Sequence, residues 1–268
     1  MMDPKFPGGR ALRIALAVSA PLALANCAGI GTPGREAAEK TAQMALVQEH
    51  IEPALRLARA ARAAGDLASA ANLYRTVIAA GAADPILTVE FADTLLDAGS
   101  FDEAIGIYSR IEANSPARLS ALLGLTRAYL ALSQLAKALE SSEQARALSP
   151  TDARVLVARG VALDMLGRHP EAQGSYLAVL ADSPRDVAAR NNLALSFALS
   201  GRFPEALDIL TPIARSTNAS PRVRQNLALI YGLMGDRGRA ADTSRADLDK
   251  TVTEANLRFF DFVRGENR

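Results

Sequence analysis

The chain has 268 residues, 49% of them hydrophobic, 22% charged and 5% aromatic. That composition suits one large domain or a repeat array with ample apolar surface for a core, and it excludes a disordered or collagen-like chain. Thirty basic residues against 29 acidic ones leave a net charge of +1, so no global field draws in nucleic acid. A single Cys with two His excludes a disulfide framework and leaves too few ligands for a His/Cys metal site. Trp is absent and Ala abundant, which favours packed helices over strands.

The first predicted element is an address. Lys5, Arg10 and Arg13 form a basic lead, followed by an apolar run from Ile14 through Ala25 that only Ser19 and Pro21 interrupt. The run falls short of the roughly 20 residues of a lasting transmembrane helix. Behind its basic lead it reads as a secretory signal peptide over residues 1–26. It ends in Leu24-Ala25-Asn26-Cys27, at the only cysteine of the chain. These residues resemble the bacterial lipobox, in which the Cys becomes the first mature residue and carries lipid on its sulfur and its new amine. Leu24 and Ala25 follow that pattern; Asn26 departs from it, since Gly, Ala or Ser usually precedes the Cys. The other reading is a general signal peptide with an incidental cysteine and a soluble periplasmic protein. Lipidation at Cys27 implies a firm membrane anchor, because each buried acyl CH₂ contributes about 0.8 kcal/mol and several chains add up. Ala28 stands where lipoproteins kept in the inner membrane often carry Asp, so the resemblance implies the periplasmic face of the outer membrane. Gly29, Gly31, Pro33 and Gly34 make residues 27–34 a flexible tether. Residues 35–50 read as a helix with Ala38, Ala42, Ala45 and Leu46 on one face.

From residue 51 the sequence repeats itself. Gly65, Gly99, Gly167, Gly201 and Gly235 fall on one 34-residue grid, and Ser133 fills the remaining point. Five residues after each stand Ala70, Ala104, Ala138, Ala172, Ala206 and Ala240. Seven before each stand Ala58, Ala92, Thr126, Gly160, Ala194 and Ala228. Pro116, Pro150 and Pro184 close three of the repeats, again 34 apart. Each repeat predicts a first helix of about 14 residues, a turn at the grid position, and a second helix stopped by Pro, which cannot continue a helix without losing a hydrogen bond. The small residues on either side of the turn let the two helices approach closely. Stacking then supplies the core, since no single unit can bury its apolar face alone. Six units fit over residues 51–254 without an insertion. Residues 255–268 read as a C-terminal capping helix that places Leu257, Phe260 and Val263 on the last unit.

This pattern resembles the tetratricopeptide repeat (TPR). The resemblance implies an all-α solenoid of about six helix-turn-helix repeats with helical caps at both ends, and a concave groove lined by the first helices. In units three and four the groove positions hold Leu123, Arg127, Leu130, Arg154, Val157, Val161 and Met165. In units five and six they hold Asn191, Asn192, Leu195, Leu199, Arg222, Gln225, Asn226, Leu229 and Leu233. Asn192 and Asn226 share one grid position. A primary amide both donates and accepts, so stacked Asn side chains can clamp a peptide backbone; alternatively they bond each other or helix termini. The apolar positions either meet a partner or pack between adjacent first helices. Arg154, Arg190, Arg222 and Arg224 either pair with a partner's carboxylate or form a solvated face. No Gly-rich phosphate loop or nucleophile elbow appears, and His50 and His169 read as surface histidines. The expected ligand is a protein segment, and no enzyme activity, cofactor, metal or small-molecule substrate is expected.

The stretch Arg224-Gln225-Asn226-Leu227-Ala228-Leu229-Ile230-Tyr231-Gly232-Leu233-Met234-Gly235-Asp236 goes beyond the general repeat, as does Asn191-Asn192-Leu193-Ala194-Leu195-Ser196. Together with the lipobox and the tail from Asp247-Leu248 to Ala255-Asn256-Leu257, they resemble the TadD proteins of tight-adherence (Flp) pilus assembly. That resemblance implies an outer-membrane lipoprotein that helps the pilus secretin, or another pilus assembly component, assemble or localise. The alternative is a periplasmic TPR scaffold for envelope or cell-wall assembly.

Overall fold

The computed structural model describes residues 51–82, 84–263 and 265; the signal segment, Cys27, the tether, the 35–50 helix and His50 lie outside the described residues. All regular structure among the described residues is helical. The helices come in pairs: α1 (51–63) with α2 (Leu67–Ala79), α3 (Pro85–Asp97) with α4 (Phe101–Tyr108), and α5 (Arg118–Ala131) with α6 (Leu135–Leu148). They continue as α7 (Ala153–Met165) with α8 (His169–Asp182), α9 (Val187–Leu199) with α10 (Phe203–Ala214), and α11 (Pro221–Met234) with α12 (Arg237–Ser244). The last is α13 (Lys250–Val263). The unit is a helix-turn-helix solenoid, stacked in chain order.

The turn between the two helices of each pair is set by one backbone conformation. Gly65, Gly99, Gly167, Gly201 and Gly235 all have φ between +74 and +84°. At each, the turn residue's N–H bonds back to the carbonyl three residues earlier and the next N–H to the carbonyl five before itself, as in Gly167 to Asp164 and Arg168 to Leu163, both 2.9 Å. This is the Schellman closure, and it satisfies carbonyls that a helix end leaves unpaired. Ser133 makes the same two bonds with φ +57°, the one non-glycine among the described residues with positive φ. An L-residue held there carries a penalty of roughly 1–2 kcal/mol. Ser133→Gly removes it at the cost of a more flexible unfolded chain, roughly 0.4–1 kcal/mol. The variant should therefore raise stability by up to about 1.5 kcal/mol in a urea melt.

The first helices start as regularly as they stop. Asp84, Asp152, Asp186 and Ser220 cap α3, α7, α9 and α11, each side chain accepting a backbone N–H of the first turn. Close packing follows from the small residues flanking each turn. Ala58, Ala92, Thr126, Ala194 and Ala228 are wholly buried, Gly160 is buried, and so are all six alanines from Ala70 to Ala240 on the grid. Tyr74, Tyr108 and Tyr176, four residues beyond three of those alanines, fill the space behind them.

First helices also pack on one another, α3 on α5, α5 on α7, α7 on α9, α9 on α11 and α11 on α13. Successive second helices make no comparable contact among the described residues, so the first helices line the tighter, inner side of the array. The C-terminal helix begins at Lys250, inside the sixth 34-residue frame: α12 is eight residues long, as α4 is, but only residues 245–249 separate it from α13, where residues 109–117 separate α4 from α5. Its buried residues are Thr253, Leu257 and Phe260; Val263, expected on the last unit, is half exposed. Counting three residues from Phe260 carries Val263 round the helix and away from α11.

Candidate binding groove

On the inner side, α5 and α7 flank a groove of about 580 Å³. Its floor is Leu123 and Leu130 from α5 with Val157 and Val161 from α7, all partly exposed apolar side chains. Four charged residues stand around it: Asp93 from α3, Arg127 from α5, Arg154 from α7 and Asp186 from the cap of α9. Each acid among them has work elsewhere in the fold. Asp93 accepts hydrogen bonds from the Tyr108 hydroxyl and from Arg127, both at 2.6 Å. Burial, and then the bond to Asp93, push the Tyr108 hydroxyl well above its ordinary range, so it stays a donor. Asp186 accepts the Ala189 N–H at 2.7 Å. Arg154 folds back on the cap of its own helix, with Nη2 2.6 Å and Nε 3.1 Å from the Asp152 carboxylate. Those bonds hold the Asp152 carboxyl below the usual carboxylate range. With an apolar floor, Arg127 and Arg154 paired to carboxylates and Asp186 engaged as a helix cap, this is a surface that can bury an apolar side chain.

Of the residues expected to line the groove, Leu123, Arg127, Leu130, Arg154, Val157 and Val161 meet here. The amides do not join them. Asn226 Nδ2 donates to Asn191 Oδ1 at 2.9 Å, and Asn191 Nδ2 donates to Asn192 Oδ1 at 3.2 Å. The three side chains therefore stitch α11 to α9, and Asn191 is buried. Asn192 and Asn226 share a sequence register, and their amides are directed at Asn191 between the helices, so of the two readings open to them the structure shows the side chains bonded to one another as a structural bridge, not a free backbone clamp. Gln225 turns to the linker after α12, its Nε2 3.3 Å from Asp247 and 3.4 Å from the Ser244 carbonyl. Arg224 is structural too: its Nε donates to Asp247 at 2.8 Å, and it reaches the Ala219 carbonyl. Leu195 packs against the C-terminal core, Met165 is about half exposed beyond the groove, and Arg222 is exposed with no side-chain partner among the described residues.

His169 is the second correction. Rather than a surface residue, it is a partner of Asp164, with Nδ1 2.9 Å from Oδ1 and only 20% of its side chain exposed. Asp164 also accepts from the Tyr176 hydroxyl at 2.9 Å and from Ser196 Oγ at 2.7 Å. One largely buried carboxylate thus ties α7, α8 and α9 together. Asp93 and Asp186 were missed at the groove. Asp186 had a signal in the sequence, since Asp152, Asp186 and Ser220 recur every 34 residues at the starts of first helices.

A family model described as tetratricopeptide repeat matches residues 55–118 and 158–221, and a second of the same description matches 95–158. Tetratricopeptide repeat protein 28 of Mus musculus is 30% identical over 120 residues, 42% of this chain but only 5% of that protein. The chain thus spans a small fraction of that relative's length. A tetratricopeptide repeat protein from Parabacteroides merdae superposes with a TM-score of 0.64 at 19% identity, over 81% of this chain and 87% of that one. A thermophilic TPR protein of Thermus thermophilus gives a TM-score of 0.56 at 25% identity, over 65% and 95%.

Proposed function

The chain belongs to the tetratricopeptide repeat family, and from that premise we propose that it is a lipid-anchored adaptor on the periplasmic face of the outer membrane. It holds a segment of a protein partner against the inner faces of α5 and α7 and assists assembly of the secretin of a tight-adherence pilus. Repeats of this family form protein-interaction scaffolds, and the observation that carries the binding role is the groove itself. Leu123, Leu130, Val157 and Val161 offer apolar surface beside two arginines already paired to carboxylates within the fold. The pilus role draws its support from the resemblance of residues 191–196 and 224–236 to TadD proteins, and the anchor from Leu24-Ala25-Asn26-Cys27.

The test is capture of the secretin by the tagged full chain from solubilised envelopes, with fatty-acid labelling of the same cells. The wild type should carry acyl label and bring down the secretin. Cys27→Ser should leave an unlabelled precursor. A wild-type chain without label, recovered free in the periplasm, would remove the anchor. A labelled chain that brings down no secretin would remove the pilus role and leave a general envelope scaffold.

A further inference from the structure

We infer that α13 occupies the first-helix position of a seventh repeat, and that its exposed aromatic stripe extends the binding face to a partner segment carrying apolar side chains and a carboxylate. The inference rests on the reading that the inner face binds protein. Its register comes from Gly265, which has φ +74° and an N–H bonded to the Phe262 carbonyl at 3.0 Å. The same conformation and the same three-residue bond mark the grid turns of the six units. Twelve, eight and five residues before Gly265 stand Thr253, Leu257 and Phe260, all buried. The same offsets from Gly235 give Val223, Leu227 and Ile230, buried likewise. The repeat continues, but 30 residues after Gly235 rather than 34.

That register fixes which face is open. In unit three the groove is lined from α5 by Ser120, Leu123, Arg127 and Leu130, which stand 13, 10, 6 and 3 residues before Ser133. The same offsets from Gly265 give Val252, Ala255, Phe259 and Phe262, a single stripe along α13. Phe259 is 57% exposed and Phe262 62%. The seat for a second helix is closed instead. Seven residues before the turn, where the six units carry only Ala, Thr or Gly, α13 has the exposed Arg258, and Asp261 beside it is held by Arg237. The stripe is therefore not waiting for a helix donated by another copy of the chain.

The chemistry of the partner follows from what surrounds the stripe. At the corresponding offsets α9, α11 and α13 carry no acidic residue and one cation, Arg222, which is exposed and has no side-chain partner among the described residues. A segment with two apolar side chains a helical turn apart and an acid opposite Arg222 complements that face. The stripe from Val252 to Phe262 is about 15 Å long at 1.5 Å per residue, the span of a short segment.

The probe is a library of random peptides of about twelve residues, selected on the full chain; selected peptides are synthesised and titrated against variants. They should carry apolar pairs with an acid, and Phe259→Ala with Phe262→Ala should weaken them at least tenfold at unchanged circular dichroism. Phe262→Ala alone should weaken them less. Arg222→Glu should lose them and regain those in which the acid is replaced by Lys. Peptides lost with Val157→Asp but indifferent to the Phe pair would overturn the role of α13 while keeping the groove. Peptides indifferent to both, or no selected binder, would overturn the inner-face reading as well. Flotation of the Cys27→Ser chain with phosphatidylethanolamine and phosphatidylglycerol vesicles, abolished by the Phe pair, would make the stripe a membrane contact and overturn a protein partner.

Discussion

Asp164→Ala should destabilise the array by about 3 kcal/mol or more, and should split its unfolding into two transitions. The magnitude comes from the three donors that share this carboxylate: Ser196 Oγ, the Tyr176 hydroxyl and His169. A buried donor left unpaired costs about 1–3 kcal/mol, and three at one site lose less than their sum. Ser196 and Tyr176 are nearly inaccessible, so water cannot simply replace the acid. Burial, and with it the charge of Asp164, push the Tyr176 hydroxyl far above its ordinary range, which keeps it a donor. The split transition follows from the one-dimensional architecture, in which stability is a sum of units and nearest-neighbour interfaces. Weakening the junction of α7, α8 and α9 uncouples the two halves. Urea melts followed by circular dichroism read both effects; one unshifted transition would mean that the hub is dispensable.

Gly160→Ala should destabilise by about 1–3 kcal/mol, the overpacking range, although helix propensity alone favours Ala by about 1 kcal/mol. A Cβ at residue 160 would lie 2.4 Å from Cε1 and 2.6 Å from Cζ of Tyr176. That ring cannot swing aside, because it is 1% exposed and its hydroxyl is held by Asp164. Gly174→Ala in the adjoining helix is the control, since a Cβ there meets nothing, and it should stabilise by about 0.5–1 kcal/mol. Gly160→Ala with Tyr176→Leu should recover part of the loss. A Gly160→Ala chain as stable as the wild type would contradict the close approach of α7 and α8.

These contrasts explain what the sequence could and could not reveal. The turns and the buried alanines were legible because one steric demand recurs in every unit: positive φ at the turn, no bulk on either side of it. Ser133 broke the glycine pattern but kept the conformation, so the grid survived. The groove was legible only in part. Spacing placed Leu123, Arg127, Leu130, Arg154, Val157 and Val161 on the inner face, and all six line the groove. Spacing also gave Asn192 and Asn226 a common register, but it could not show that their amides turn to Asn191. Asp164 occurs once and has no counterpart at the other turns, so no period marked it. The C-terminal helix was legible from its apolar spacing, but its register was not, because the linker after α12 is four residues shorter than the one after the equally short α4, which takes α13 off the 34-residue grid.

The central claim is that a partner segment lies in the groove between α5 and α7. Site-specific photo-crosslinking in intact envelopes tests it most directly, with a photoreactive residue in place of Val157 or of Leu177. Val157 lines the groove, and Leu177 on α8 is 51% exposed outside it. A secretin adduct is expected from position 157 and none from position 177. An adduct from 177 with none from 157 would contradict the claim.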